Sequence, residues 1–210
     1  MNLVPTDKGA FGEYSAVAEK MAPHWFSRES HNQLINVTDK TYLPGYYQKI
    51  VVPGHPINAS RGHPMEFHGE LKCISIACPF DQEFFGLEEY KRQLVGCLIH
   101  EWVHELQERQ NSSTYLAEKN IPSAIPQGCS DPALFWDKYY SLTLEQDAHA
   151  AQAAAEMVYS GLTEWDDLMF EKTLGWLRPL FRLKAIPEYM NKWRSAITDC
   201  AKHQFNLFLN

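Results

Sequence analysis

The chain has little of several things that would otherwise define it. No run approaches the 18 or so consecutive apolar residues of a membrane-crossing helix, so no membrane partner is expected. There is no basic excess: 19 Lys and Arg stand against 26 Asp and Glu, a net charge of −7. That balance disfavours a nucleic-acid surface, and no nucleic-acid partner is expected. Cysteine is sparse and odd in number, with Cys73, Cys78, Cys97, Cys129 and Cys200 and no C-x-x-C pair. Reduced thiols in a cytosolic compartment fit this better than a disulfide framework. The opening residues lack a basic segment followed by an apolar one, so no classical secretion signal is expected and a cytoplasmic location is. Internal repeats, low-complexity tracts and a linker between domains are also missing, which leaves residues 1–210 as one expected domain.

What is present is an ordinary globular composition, 45% hydrophobic and 21% charged, enough to bury a sizeable core. The pattern along the chain predicts a short amphipathic helix over 11–21, ended by Pro23. Residues 40–64 are rich in Pro and Gly turns. Short strands are expected at 49–52 and 65–68, and residues 71–76 alternate apolar and polar in the manner of a half-buried strand. A helix is predicted over 87–110, then a loop over 111–132 placed to form a rim or lid. Helices follow at 132–140, 142–160 with Gly161 as a C-cap, 164–176 and 187–208.

The chemistry concentrates in His100-Glu101-Trp102-Val103-His104, an H-E-x-x-H pattern inside the predicted 87–110 helix. Residues four apart lie one turn above each other on the same face. His100 and His104 can therefore reach one Zn2+ ion at about 2.0–2.1 Å. Glu101, rotated by about 100°, flanks the metal and can serve as general base toward a metal-activated water. Val95, Leu98, Ile99, Trp102, Val103 and Leu106 form the apolar arc, while Cys97, His100, Glu101, His104 and Glu108 form an edge expected to face a cleft. With 9 His in 210 residues, random placement gives about 0.03 such patterns, so coincidence is a poor account.

Catalytic zinc usually takes three protein ligands. The best third candidate is Glu145, which shares a helical stripe with His149, Gln152 and Glu156 at spacings of 4, 3 and 4. Alone, that stripe reads as the wet face of an amphipathic helix. Beside H-E-x-x-H it reads as a ligand helix, and its six alanines between 148 and 155 would let another helix approach closely.

His100-Glu101-x-x-His104, followed 41 residues after His104 by Glu145-x-x-Ala148-His149, resembles the gluzincin metallopeptidases. It is similar in particular to their small single-domain types and to the HtpX-like and ImmA/IrrE-like families, whose second motif reads E-x-x-A-D or E-x-x-A-N. Small proteins of this kind also occur among tailed-phage gene products, so host cytoplasm or virion is a further expected location. The resemblance implies an α+β, mainly helical, zincin-like single domain, with an H-E-x-x-H helix, a second helix carrying the glutamate ligand and a small β-sheet. His100, His104 and Glu145 become zinc ligands, and Glu101 the base in hydrolysis of a peptide or protein substrate. The sequence departs from the family at His149. That residue could orient a ligating His, donate to the oxyanion as a catalytic residue, or replace Glu145 on the metal. Tyr139 and Tyr140 are alternative oxyanion donors, and the 71–76 strand is expected to hold an extended peptide by strand addition.

Glu105, Gln107 and Glu108 read as solvated or outer-sphere residues, and His55, His63 and His68 as surface histidines. Cys97 reads as a small buried thiol. Two other enzyme classes share parts of the pattern. Cys73 faintly resembles the cysteine element of peptide deformylases, but their glycines are missing. A DNA-associated H-E-x-x-H protease conflicts with the acidity. Outside enzymology, a non-catalytic metal-containing binding protein, virion component or effector remains the alternative.

Overall fold

Alanine decides how closely these helices pack. In the computed structural model, residues 8–26, 34–35, 49–51, 65–68, 73–76, 86–110, 113–118, 141–173 and 186–210 are described. They form helices α1 (Lys8–Phe26), α2 (Leu87–Arg109), α3 (Ser113–Glu118), α4 (Thr143–Tyr159), α5 (Asp167–Thr173) and α6 (Ile186–Leu209). Helix α4 lies between α2 and α6, and α1 packs on α2. Ala148, Ala150, Ala151, Ala153, Ala154 and Ala155 are all fully buried, so α4 has neighbours on nearly every side. Small side chains permit this, because the backbones on either side can come close.

The outer helices cover α2 and α4 with single stripes. On α1 the buried positions Ala10, Tyr14, Val17, Ala18 and Ala22 recur at helical spacing. On α6 they are Ile197, Cys200, Ala201, Phe205 and Phe208. The rings of Phe11 and Phe208 meet at 5.2 Å, joining α1 to α6, and Trp165 packs on Phe170 at 5.0 Å and Phe205 at 5.9 Å. Each buried aromatic contributes about 1.5–3 kcal/mol of apolar burial, supplying the area that the alanines lack.

The expected α+β, zincin-like architecture is corrected by this core. Every described core side chain lies on a helix or in a connection at a helix end, and the body is helical. Extended backbone pieces occur at Leu34–Ile35 (β1), Lys49–Val51 (β2), Met65–His68 (β3) and Cys73–Ile76 (β4), each two to four residues long. Their pairing order is β1-β2-β4-β3. Pieces this short do not make a core layer; helices are the main packing partners of α2 and α4, with β3 a smaller neighbour of α2. The expected role of residues 71–76 is overturned as well. β4 is paired on both edges, with β2 and with β3, so it has no free edge for a peptide to join.

Several boundaries also move. Helix α1 runs through Pro23 to Phe26. A proline so near a C-terminus removes one backbone bond without breaking the remaining turn. Helix α3 occupies part of the stretch read as loop, and α5 starts at Asp167, later than the 164 expected. Gly161 has φ 84, in the left-handed region. Its N–H donates to the Val158 carbonyl at 2.9 Å, and the Leu162 N–H donates to that of Met157 at 3.3 Å. This is a Schellman closure of α4, which needs that backbone conformation. Among the described residues, no helix is long and apolar enough to cross a membrane.

Candidate metal centre

Helix α2 brings His100 and His104 to one face, and α4 lays its polar stripe against that face. The edge expected to face a cleft thus meets Glu145, His149, Gln152 and Glu156, all buried rather than turned to water. His100 Nε2 and His104 Nε2 lie 3.1 Å apart. The Glu145 carboxylate is 3.7 Å from each, Oε2 toward His100 and Oε1 toward His104. His149 Nε2 is 3.9 Å from Glu145 Oε2, and its ring packs on that of His100 at a centroid distance of 4.4 Å. Ligating atoms of His100, Glu145 and His149 all lie within 4.8 Å of one another.

Outer partners fix which imidazole nitrogen faces inward. The Gln107 amide donates to the Leu144 carbonyl at 3.0 Å, leaving its oxygen 2.9 Å from His104 Nδ1. That oxygen can only accept, so Nδ1 carries the proton and Nε2 presents a lone pair. The same logic holds on α4. The Gln152 amide donates to Glu156 Oε1 at 3.2 Å, and its oxygen lies 3.2 Å from His149 Nδ1. Glu156 is in turn paired with Arg92, which also binds Glu89.

Zinc bonds of about 2.0–2.1 Å at tetrahedral angles place ligand atoms about 3.3–3.4 Å apart. The observed 3.1 and 3.7 Å separations bracket that value. Two imidazole lone pairs at 3.1 Å repel unless a proton or a cation lies between them. The donor set, imidazole nitrogens with a carboxylate and hydrogen-bonded outer partners, is one that zinc accepts. The residues therefore fit the ion.

Burial and charge act together here. Burial pushes the His104 imidazole toward neutrality, but the carboxylates of Glu145 and Glu101 and the Gln107 hydrogen bond outweigh it, and its pKa is raised. Glu101 is itself buried and acts electrostatically on both His104 and Cys97. Glu145 lies in the first turn of α4, where the helix dipole favours a negative charge. The α4 N-terminus is held by Glu118, whose carboxylate accepts the Leu144 N–H at 3.0 Å.

The solvated reading of Glu105 needs correction, while Gln107 as an outer-sphere residue and Cys97 as a buried thiol agree with the structure. Glu105 is fully buried, not solvated, and pairs with Arg109 at 2.6 Å. Burial drives its carboxyl up to about 7, with Glu108 adding to the rise and Arg109 opposing it. Gln107 is buried as the clamp on His104. Cys97 is buried, and burial together with Glu156 and Glu101 pushes its thiol well above its ordinary range. Tyr139, Tyr140, His55, His63 and the helix expected at 132–140 lie outside the described residues, as do the side chains of His68 and Cys73.

Sequence reasoning missed the Arg92–Glu156 pair. Its signal was Gly96, a glycine within an otherwise helix-favouring run. A Cβ at Gly96 would meet Glu156 Cγ and Oε1 at 2.5 Å. The glycine makes room for the carboxylate to cross α2 and reach Arg92, one turn earlier.

No known protein family, curated protein or solved structure matches this chain. The site must be read from its own geometry.

Proposed function

We propose that the protein is a zinc-dependent metallopeptidase, hydrolysing peptide bonds in a peptide or protein substrate. One observation carries the reading. Two Nε2 atoms from α2 and one carboxylate from α4 converge within 3.1–3.7 Å although Glu145 is 41 residues from His104. The gluzincin-like pairing of H-E-x-x-H with a later glutamate supports it.

In this reading His100, His104 and Glu145 hold the zinc, with Gln107 fixing the tautomer of His104. A zinc ion held by these residues would supply a water of pKa near 7 and polarise a scissile carbonyl. Glu101 takes the proton as general base and returns it to the leaving amine as general acid. Its buried setting keeps bulk water from competing for that proton.

The test has two parts. Elemental analysis of protein purified without a metal-affinity tag should give about one zinc per chain, lost or greatly weakened in Glu145→Ala. Glu101→Gln should keep its zinc while losing about 10²–10⁴-fold in peptide hydrolysis. Full activity in that variant would sink the mechanism.

A second reading has its own support. The distinction between catalysis and mere metal holding turns on access, and His100, Glu145 and His149 are only 6–8% exposed. A non-catalytic, metal-containing binding protein would keep its ligands covered in this way. Zinc bound stoichiometrically, with no cleavage across broad peptide libraries, would favour it.

A further inference from the structure

His149 is the residue at which the chain departs from the gluzincin pattern, and three roles are open to it. The geometry separates them. Gln152 is anchored by its amide N–H on Glu156 Oε1, so only its oxygen faces His149 Nδ1. With Glu156 ionised against Arg92, reversing that amide would set two oxygens, those of Gln152 and Glu156, against each other. Nδ1 therefore carries the proton of the neutral ring. Nε2 holds a lone pair and cannot donate to an oxyanion in that state.

That lone pair is directed into the cluster. His149 Nε2 is 3.9 Å from the Glu145 oxygen that faces His100, and ligating atoms of all three residues share a region 4.8 Å across. The support behind it is built from both helices. Gln152 leans on Glu156, Glu156 on Arg92, and Arg92 also on Glu89. Gly96 supplies the space through which Glu156 crosses α2. His104 receives the matching treatment from Gln107.

We infer that His149 is a fourth protein donor to the metal, joining His100, His104 and Glu145, with Gln152, Glu156 and Arg92 as the positioning residues that aim it. This rests on the metal site proposed above and changes its composition from two imidazoles to three. Four protein donors fill a tetrahedral zinc, so hydrolysis at this site requires a fifth position for water. The same four donors satisfy a closed, non-catalytic site without alteration.

X-ray absorption on the zinc-loaded full chain counts imidazole ligands without any mutation. Three in the wild type and two in His149→Ala are expected. Gln152→Leu removes the anchor while retaining the imidazole. It should weaken zinc affinity about 10–100-fold, the usual effect of losing a ligand's outer partner, as read by competition against a chromogenic chelator. Circular dichroism on each variant checks that the helices persist, and the wild-type ligand count stands even if a variant fails to fold. Two imidazoles in the wild type, with unchanged affinity in a folded Gln152→Leu, would overturn the inference and leave the three-ligand site intact. No zinc uptake by the wild type, or uptake that survives His100→Ala, would overturn the site itself.

Discussion

Replacing Arg92 by methionine keeps most of the side-chain volume and removes the cation that faces Glu156. The Glu156 carboxyl is 2% exposed and its pKa is about 7 against an ordinary 4.5. Burial is the largest cause; Arg92 and the Gln152 hydrogen bond oppose it. The folded state therefore holds this proton more tightly than the unfolded chain, and stability falls as pH rises from 4.5 toward 7. Over that interval the loss is about 3 kcal/mol. Without Arg92 the carboxyl moves higher still and stays protonated where the wild type has ionised. The additional loss is then near zero at pH 6 and grows by about 1 kcal/mol per pH unit above 7. Lost packing adds a pH-independent term of about 1 kcal/mol. This remains below the ~3–5 kcal/mol typical of a broken buried ion pair until high pH, because the carboxyl neutralises instead of remaining a bare charge. Urea unfolding of both proteins across pH 6–9, with chelator present to remove metal linkage, reads the difference directly. A gap that is constant with pH, or that narrows as pH rises, would refute the reasoning.

Other consequences follow from single atoms. Gly96→Ala places a Cβ 2.5 Å from Glu156 Cγ and Oε1, so α2 and α4 must separate or the carboxylate must leave Arg92; a loss of about 1–3 kcal/mol is expected in chemical denaturation. Truncating Glu156 to alanine in the same chain should return part of that loss, and a Gly96→Ala protein as stable as wild type would contradict the close approach. Gly161→Ala forces a Cβ into the left-handed region at φ 84 and should cost about 1–2 kcal/mol, seen as a lowered Tm. Cys97 and Cys200 are buried, and burial first, then neighbouring carboxylates, raises both thiols. Alkylation mapped by peptide mass should leave both unmodified in the native protein and label them in urea; rapid native labelling of Cys97 would show that the face beside His100 is open.

The amino-acid sequence by itself determined the local elements that matter most. The H-E-x-x-H register fixed which two histidines share a helical face, because 3.6 residues per turn leaves no other arrangement. The spacing of Glu145, His149, Gln152 and Glu156 made them one stripe for the same reason, and Gly161 marked where α4 would close. Sequence could not say which way that stripe turns. A polar stripe toward water and one toward a neighbouring helix have the same periodicity, and only the packing of α4 between α2 and α6 distinguishes them. The partnership of Arg92 with Glu156, 64 residues apart, likewise exists only once those helices meet. The expectation of an α+β body failed because alternation over 71–76 specifies extended backbone, not a core layer, and β3 is only a minor neighbour of α2. Small alanines and two outer stripes enclosed α2 and α4 with helices instead. Tertiary structure thus decided which side chains of α2 and α4 meet, since convergence depends on contacts between helices and not on spacing within either one.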